Sequence, residues 1–371
     1  MKRRSVILSS AALALPTSFA QSKTIVLGQS APFTGAAAQL GIQHNAGARL
    51  YFDAINQQGG VNGRKIELRS VDDGYEPDKA AANTEKFIQE GVFALFGYVG
   101  TPTSLAALPL ATDAKTPFFA PFTGAAALRE PHNRYAIHIR ASYDDETRAI
   151  VQHVQSIGIK KIAVFYQNDA YGNAGLNGVK KALVKTPQAL VATGTVERNS
   201  VDVTAAVKAI VVAKPDIVVL VSAYKSCAAF IRAARSAGFT GGFYNVSFVG
   251  TTALSAELGK DGAGVVISQV MPYPYSSVKK ISGDYLAALQ QSGRADLTPN
   301  YSSMEGFVAA KVFCEALRRS STASRESFID AIEGMKSYDL GGFYVEFGRN
   351  KHVGSNFVDL TMLTSDGKLR R

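Results

Sequence analysis

Short runs of apolar and β-branched residues alternate along the chain with longer stretches in which apolar residues recur every three or four positions. Such runs predict strands, and such spacings predict amphipathic helices. The pattern first predicts strands at 24–29, 66–71, 93–97 and 116–121, a helix at 41–57 and a helix opening at Pro77. Farther along it predicts strands at 162–166, 190–196 and 216–221 and helices at 145–157, 172–184, 203–212 and 225–237. This alternation favours parallel sheets with crossover helices, and therefore two similar α/β halves.

Two segments add detail to this α/β prediction. Residues 217–221 are apolar throughout, which is typical of a central strand covered on both faces. Residues 273–341 are mostly helical in pattern and contain no third full set of strands. We therefore expect this late segment to return and complete one of the two halves, which requires several crossings of the chain between them.

The N-terminal segment Met1–Ala20 has the pattern of a secretory signal peptide. A basic start at 2–4 precedes an apolar stretch at 6–15, which is about half the length needed to span a bilayer. Small residues at Ser18 and Ala20 predict cleavage after Ala20, and a lipid anchor is disfavoured because no cysteine follows directly. We expect a soluble periplasmic protein, and the paired arginines of the basic start leave twin-arginine export open beside the general secretory route.

Charge and cysteine content exclude several classes of protein. Lys and Arg number 40 against 30 Asp and Glu, for a net charge of +10, but the basic residues are dispersed in short pairs rather than gathered in runs. This pattern disfavours nucleic acid as a partner and leaves a diffuse positive field that favours small anions. The two cysteines, Cys227 and Cys314, exclude a disulfide scaffold, and both are expected to be structural thiols packed in helices.

Sequence motifs of enzymes are missing from the chain. It has no Walker A loop, no HExxH or GxSxG motif, and no GxGxxG turn after the first strand. Its 5 histidines are scattered, and none has a partner at the spacing of metal ligands, so we expect them to be surface or structural residues. The sequence therefore predicts neither catalysis, nor a cofactor, nor a metal site.

Hydroxyl side chains follow the predicted strand at 93–97 and lead into a helix. Thr101, Thr103 and Ser104 lie at the N-terminus of that helix, where unpaired N–H groups and the helix dipole favour an anion. The segment predicts a carboxylate-binding site, although ordinary helix capping explains the same residues equally well. The next strand ends at Pro121–Gly124, and ligands of open α/β sheets bind beyond such strand ends.

Aromatic residues occupy the corresponding positions in the second half of the chain. They stand at predicted strand ends or in the loops that follow: Tyr143, Tyr171, Tyr224 and Phe248. Aromatic rings with polar tips suit a cleft that closes over an organic solute, and simple packing stays the alternative for each of them.

A series of different short motifs is spread along nearly all of the chain after the leader. The earlier ones are Gly28, Pro32–Gly35, Ile55–Asn56, Gly59–Arg64, Asp72–Asp73, Pro77 and Gly97–Thr103. The later ones are Pro121, Tyr166–Gly172, Ser222–Tyr224 and Ala234–Gly238. In their order and spacing these motifs resemble the leucine/isoleucine/valine-binding family of type I periplasmic solute-binding proteins, which serve ABC importers.

The resemblance implies an α/β fold with two Rossmann-like lobes, joined by three hinge crossovers, and a solute held between the lobes. The crossovers are expected near 138–142, 270–274 and 347–351. The first lobe is then expected to comprise residues 21–141 and 273–347, and the second lobe residues 142–272 and 348–371.

The resemblance also implies roles for individual residues. Thr101 matches a serine that holds the ligand carboxylate, while Phe122 and Gly124 match positions that supply a backbone carbonyl and a threonine hydroxyl. Tyr171 and Tyr224 match tyrosines of the second lobe that close on the ligand. The remaining candidate ligand contacts are Leu40, which matches an aromatic residue, and Thr103, Thr123, Tyr143 and Phe248.

Departures from the family pattern bear on the ligand. Ser247 stands where amino-acid binders of this family have a glutamate for the ligand ammonium, and Gly124 removes a hydroxyl. A buried ammonium without a carboxylate partner is costly. We therefore expect a ligand without an α-ammonium, such as an aromatic or aliphatic carboxylate, unless Asp145 takes the place of that glutamate.

The function implied by the resemblance is capture of an amino acid or other small carboxylate-bearing solute by hinge closure. A monomer would deliver this solute to an ABC permease in the inner membrane, without any chemical step. Two alternatives stay open: a periplasmic sensing module for a signalling partner, and a secreted enzyme that uses the cleft. The enzyme is disfavoured because the chain shows no nucleophile–base pair.

Overall fold

A computed structural model describes residues 24–371, and the predicted leader at 1–20 lies outside the described residues. The first strands are β1 (Ile25–Ala31), β2 (Ile66–Asp72), β3 (Ala94–Phe96), β4 (Phe118–Phe119) and β5 (Ala136–Ile137). They form a parallel sheet in the order β2-β1-β3-β4-β5, the base of the first lobe. The helices between them are α1 (Ala38–Gln57), α2 (Pro77–Gln89) and α3 (Thr101–Asp113).

The second lobe repeats this alternation. Its strands are β6 (Lys161–Gln167), β7 (Ala189–Val196), β8 (Ile217–Val221), β9 (Gly242–Asn245) and β10 (Val266–Gln269). Its helices are α4 (Tyr143–Ser156), α5 (Ala170–Leu183), α6 (Thr204–Val212), α7 (Tyr224–Ser236) and α8 (Thr251–Leu258). These strands are parallel, and all of β8 is buried, which confirms it as a central strand.

The late helical segment packs on the first lobe. It comprises α9 (Lys280–Gln291), α10 (Tyr301–Arg319), α11 (Arg325–Glu333) and a hairpin of β11 (Tyr338–Asp339) and β12 (Tyr344–Val345). Helix α10 lies along α1, and glycines allow their backbones to touch. A Cβ atom on Gly47 would lie 1.8 Å from the Ser303 carbonyl oxygen, and one on Gly306 would lie 2.1 Å from the His44 carbonyl oxygen. The expected return of this segment is confirmed.

The chain finally passes back to the second sheet. Strands β13 (Asp359–Leu363) and β14 (Leu369–Arg370) extend it in antiparallel fashion, giving the order β14-β13-β10-β9-β8-β6-β7. The described chain thus crosses between the lobes three times, as expected. The first and last crossovers lie side by side, because His138 pairs with Val353 as an isolated bridge.

The boundaries of the predicted elements agree with the structure to within a few residues, with one instructive exception. The strand predicted at 116–121 shrinks to Phe118–Phe119, because Pro117 and Pro121 flank it and proline has no N–H to donate to a ladder. Both cysteines are buried, as expected of structural thiols. Within residues 24–371 no helix is long and apolar enough to cross a membrane.

Candidate functional site

Two threonine hydroxyls meet where β3 and β4 end. Thr101 Oγ1 and Thr123 Oγ1 lie 2.7 Å apart, and both residues are buried. Gly100 makes the turn into α3 with φ of 101°, and a Cβ there would lie 2.2 Å from the Tyr75 ring. The side chain of residue 100 therefore must be absent, and the N-terminus of α3 has no side-chain cap. These hydroxyls therefore do not cap the N-terminus of α3.

The hydroxyl of Thr103 is used within its own turn. It donates to the Val99 carbonyl at 2.5 Å and to the Gly100 carbonyl at 3.1 Å. The carbonyl of Phe122 accepts the Gly100 N–H at 3.2 Å. Both groups therefore stabilise the turn between β3 and α3, next to Thr101 and Thr123.

Five rings from the two lobes pack together beside these threonines, and we call them the aromatic cluster. Its members are Tyr75, Phe122, Tyr143, Tyr171 and Phe248, all at most 2% exposed. Ring centroids lie 4.6 Å apart for Tyr171 and Phe248, 5.4 Å for Tyr143 and Tyr171, 5.5 Å for Phe122 and Phe248, and 6.1 Å for Tyr75 and Phe248. The first lobe supplies two members and the second lobe three. Sequence reasoning had named every member except Tyr75.

Tyr75 is the member that sequence reasoning missed. Its φ of 66° is unusual for a bulky residue and costs on the order of 1–3 kcal/mol. The Asp73 carboxylate accepts its N–H at 2.8 Å, and its hydroxyl accepts a hydrogen bond of 3.4 Å from Gln167 of the second lobe. A strained tyrosine held by both lobes points to a role in the site. Its position between the Asp72–Asp73 and Pro77 motifs was the available signal.

The glycine at 124 has a local explanation. A Cβ atom there would lie 2.7 Å from the backbone nitrogen of Tyr143, whose N–H donates to the Gly124 carbonyl at 2.8 Å. Any side chain would push Tyr143 out of the aromatic cluster. A hydroxyl is present one residue earlier, at Thr123, whose Oγ1 lies 3.3 Å from the Tyr143 hydroxyl oxygen.

Leu40 and Tyr224 belong to a second contact between the lobes. A Cβ atom on Gly250 would lie 2.5 Å from Leu40 Cδ2, so the α1 side chain reaches the loop before α8. Burial raises the pKa of Tyr224, and a hydrogen bond from the backbone of Gln39 opposes that shift. The structure gives neither residue a ring contact with the aromatic cluster.

Asp145 is engaged elsewhere. Its carboxylate accepts the Ser142 N–H at 3.0 Å and the Ser142 hydroxyl at 2.6 Å in a capping box at the start of α4, and it pairs with Arg148. These bonds hold its pKa below the ordinary value although burial alone raises it. The carboxylate is therefore committed to the helix end.

A buried ion cluster lies at the first crossover, and it was not foreseen. We call it the Arg140 cluster, and it comprises Arg140, Glu146, Glu305 and Ser247. Arg140 Nη2 donates to Glu146 Oε1 at 3.0 Å and contacts the Ser247 hydroxyl, while Nη1 lies 3.4 Å from both oxygens of Glu305. The sequence signal was a charge among mostly apolar residues of a helix at Glu305 and another between Ile139 and Ala141 at Arg140. Spacing alone did not reveal that they meet.

Glu305 titrates near neutrality. Burial raises its pKa to about 7, the neighbouring Glu146 adds to this rise, and Arg140 and Arg129 oppose it. Glu305 thus binds a proton in the folded protein between pH 4.5 and 7, whereas the unfolded chain has lost it. The bound proton therefore adds to the free energy of unfolding. This contribution is fully present below about pH 4.5 and is lost as the pH rises through 7.

We expect the E305Q variant to lose this pH dependence. Relative to the variant, the wild-type free energy of unfolding should fall by up to about 3 kcal/mol between pH 4.5 and 7.5. Urea denaturation across that range measures it. E315Q is the matched control on α10, because Glu315 pairs with Arg318 and Arg319 at the surface and its pKa is lowered. If the free energy of unfolding changed equally with pH in E305Q and in the wild type, the prediction would be wrong.

Several buried polar atoms around the aromatic cluster have no hydrogen-bond partner among the described residues. They include the Tyr171 hydroxyl and both ring nitrogens of His44, whose ring centroid lies 5.2 Å from that of Phe122. Burial lowers the pKa of His44 to about 3, so the ring is neutral. Residues 24–371 contain no group of three or more His, Cys, Asp or Glu that could hold a metal ion. The site thus offers hydroxyls, N–H groups and rings.

Comparison with known proteins gives a consistent result. A family model described as periplasmic binding protein matches residues 24–368. A Leu/Ile/Val-binding protein of Citrobacter freundii is 21% identical over 344 residues, which cover 92% of this chain and 94% of that protein. An amino acid binding protein of Pseudomonas aeruginosa is 26% identical over 239 residues, and this alignment spans 63% of each chain, just under two thirds.

A solved structure from Rhodopirellula baltica SH 1, described as a possible leucine/isoleucine/valine-binding protein, aligns with a TM-score of 0.90 at 32% identity. The alignment covers 94% of this chain and 96% of that one. These relatives are binding proteins of a family without catalytic activity, as the missing enzyme motifs predicted. With its two hinged α/β lobes, the chain therefore belongs to the periplasmic binding protein family, as a type I member of the leucine/isoleucine/valine-binding group.

Proposed function

We propose that this protein is the extracytoplasmic solute-binding component of an ABC importer and that it captures a small carboxylate-bearing solute between its lobes. The observation that carries the proposal is the pair of threonine hydroxyls at the uncapped N-terminus of α3, directly beside the aromatic cluster. The periplasm is the proposed location, and an ABC permease in the inner membrane is the proposed partner of a monomer.

The carboxylate would bind at the first lobe. One of the two hydroxyls, Thr101 or Thr123 Oγ1, donates to the other, and the proton of the second would donate to the carboxylate. The free N–H groups of the first turn of α3 and the helix dipole add attraction for an anion. The contrast with α5 supports this assignment. There Asp169 already accepts the N–H groups of Tyr171 and Gly172, so that helix end has a carboxylate of its own.

Closure of the lobes would enclose the rest of the solute. The aromatic cluster provides rings from both sides, and the Tyr171 hydroxyl adds a buried polar atom without a partner. At the rim, Glu76 of the first lobe accepts hydrogen bonds of 2.8 Å from Arg198 and from Asn199. A solute that binds both lobes would shift a hinged equilibrium toward a closed form. We propose that the lobes divide near the crossovers at 138–142, 270–274 and 347–351.

The proposed solute has no α-ammonium and is an aromatic or aliphatic carboxylate. Ser247 carries no charge, and the carboxylate of Asp145 is occupied by Ser142 and Arg148. Neither position 247 nor Asp145 therefore offers a free carboxylate to an ammonium buried beside the aromatic cluster, and burying an ammonium without such a partner is costly.

Isothermal titration calorimetry on the full chain without its leader tests this function. The probes are leucine, valine, phenylalanine, succinate, 4-methylpentanoate and 3-phenylpropanoate. We expect binding of one or more of the last two, which carry a carboxylate and no ammonium. Tight binding of leucine or valine would retain solute capture and refute the proposed lack of an ammonium. A failure of all six probes to bind would contradict carboxylate capture.

Thr101→Val is expected to weaken binding of such a carboxylate by about tenfold to hundredfold. Valine keeps the shape of threonine and removes the hydroxyl, and a hydrogen bond to a charged group contributes about 1.5–3 kcal/mol. Calorimetry with the best probe measures the loss.

Thr112→Val is the matched control for this substitution. Thr112 lies at the other end of α3, where its hydroxyl donates to the Leu108 carbonyl at 2.8 Å. An affinity of the T101V variant within a factor of about two of the T112V variant would remove Thr101 from the site.

A further inference from the structure

Glu146 is the carboxylate that reaches Ser247, and the protein itself fills its hydrogen-bonding capacity. Oε1 accepts from Arg140 Nη2 at 3.0 Å and from the Ser247 hydroxyl at 3.0 Å. Oε2 accepts from the Ser247 N–H at 2.7 Å and from the Ser268 hydroxyl at 2.6 Å. A carboxylate has about four lone-pair sites, so no acceptor position is left for a ligand.

Arg140 supplies the positive charge of this arrangement from within the chain. Its side chain is 1% exposed and that of Glu146 is not exposed at all, so the pair is out of water. The second acid, Glu305, comes from α10 in the first lobe, whereas Glu146 and Ser247 lie in the second lobe. The Arg140 cluster therefore sits between the lobes, as the proposed ligand does.

The guanidinium is also close to the aromatic cluster. Arg140 Cζ lies 5.2 Å from the ring centroid of Phe122 and 5.9 Å from that of Tyr143. A ligand ammonium placed against these rings would lie near a guanidinium whose charge is already balanced by Glu146 and Glu305, in a region from which water is excluded. The cluster therefore offers the ammonium no unpaired negative charge.

We propose that Arg140 determines the specificity of the site, because its guanidinium takes up the Glu146 carboxylate that an α-ammonium would otherwise use. The proposal rests on the proposed function and names its selective element. It makes a reciprocal prediction: removing the guanidinium while keeping Glu146 turns a site for simple carboxylates into one that accepts amino acids.

The test uses pairs of probes that differ only in the α-amino group. They are phenylalanine with 3-phenylpropanoate, and leucine with 4-methylpentanoate, each titrated by calorimetry. For the wild type we expect the deaminated member to bind at least about tenfold more tightly than the amino acid, which is the value of one hydrogen bond to a charged group.

The informative variant is R140M/E305Q. It removes the guanidinium together with the second acid, so Glu146 is the one carboxylate of the cluster left without a positive partner. Glu146 keeps its hydrogen bonds from Ser247 and Ser268. We expect the affinity ratio of amino acid to deaminated acid to rise by about tenfold to hundredfold relative to the wild type. Circular dichroism verifies that the variant is folded.

The control variant is R140M/E146Q/E305Q, which lacks the acid that would receive the ammonium. Its affinity ratio of amino acid to deaminated acid should return to near the wild-type value. The proposal is overturned if the wild type binds the amino acid as tightly as its deaminated partner, if R140M/E305Q leaves the ratio unchanged, or if the triple variant keeps the gain. In each of those cases solute capture itself stands. If the wild type binds none of the four probes, this inference is overturned, and the proposed function fails with it only if valine and succinate also do not bind.

Discussion

Replacing Arg140 with methionine is expected to lower the free energy of unfolding by about 3–5 kcal/mol. The guanidinium contacts Glu146 at 3.0 Å and Glu305 at 3.4 Å inside a region closed to water. Its removal leaves buried carboxylates without their positive partner, and breaking a buried ion pair from one side costs far more than removing the whole pair. Urea denaturation at pH 8, followed by circular dichroism, measures the change.

Two comparison variants make this result specific. Adding E305Q to R140M should recover part of the loss, because one of the two unpaired carboxylates disappears with it. Arg148→Met is the matched surface control, because Arg148 is about half exposed and pairs with Asp145. That substitution should cost no more than about 1 kcal/mol. Equal denaturation midpoints for R140M and R148M would show that the cluster does not stabilise the fold.

Phe313→Ala is expected to destabilise the protein by about 3–5 kcal/mol, the usual cost of removing a buried phenylalanine ring. Phe313 on α10 is fully buried, and its ring lies 4.7 Å from that of Phe328, 5.3 Å from Phe119 and 6.0 Å from Phe96. These partners come from α11, β4 and β3. The late helical segment therefore completes the core of the first lobe, and a cavity there affects strands more than 190 positions earlier in the chain.

Circular dichroism again suits the measurement, because the chain contains no tryptophan. Tyr344→Ala provides an aromatic control in the same late segment, since Tyr344 is 60% exposed. Its effect should stay within about 0.5 kcal/mol. If F313A changed stability as little as Y344A, α10 would not be part of the cooperative core of the first lobe.

The path of the chain was largely predictable from its local patterns. Residues 217–221 are apolar at every position and mostly β-branched, which is typical of a strand covered on both faces, so β8 was identified without knowledge of its neighbours. The C-terminal strands β13 and β14 were not predicted. They are short. Strand β13 forms on the edge of β10, which lies about 90 residues away in sequence, and β14 then pairs with β13.

The residues of the candidate site likewise include some that were predictable from the sequence and some that were not. Strand-end hydroxyls and aromatic residues are visible in a sequence, because each follows a recognisable strand, and Thr101, Phe122, Thr123, Tyr143, Tyr171 and Phe248 do lie together in the structure. The Arg140 cluster joins residues up to 165 positions apart, and nothing in the spacing of charged residues indicates which of them will be buried together.

The sequence by itself therefore determined the α/β alternation and the family, since these follow from local periodicity and short motifs, and it indicated the strand ends that we propose as the ligand site. The tertiary structure alone decided which charges are satisfied internally. It paired Glu146 with Arg140, bound Asp145 to its own helix end and turned Tyr75 toward the second lobe. The physical reason is that the energy of a charge or a ring depends on what surrounds it after folding, and those surroundings come from distant parts of the chain.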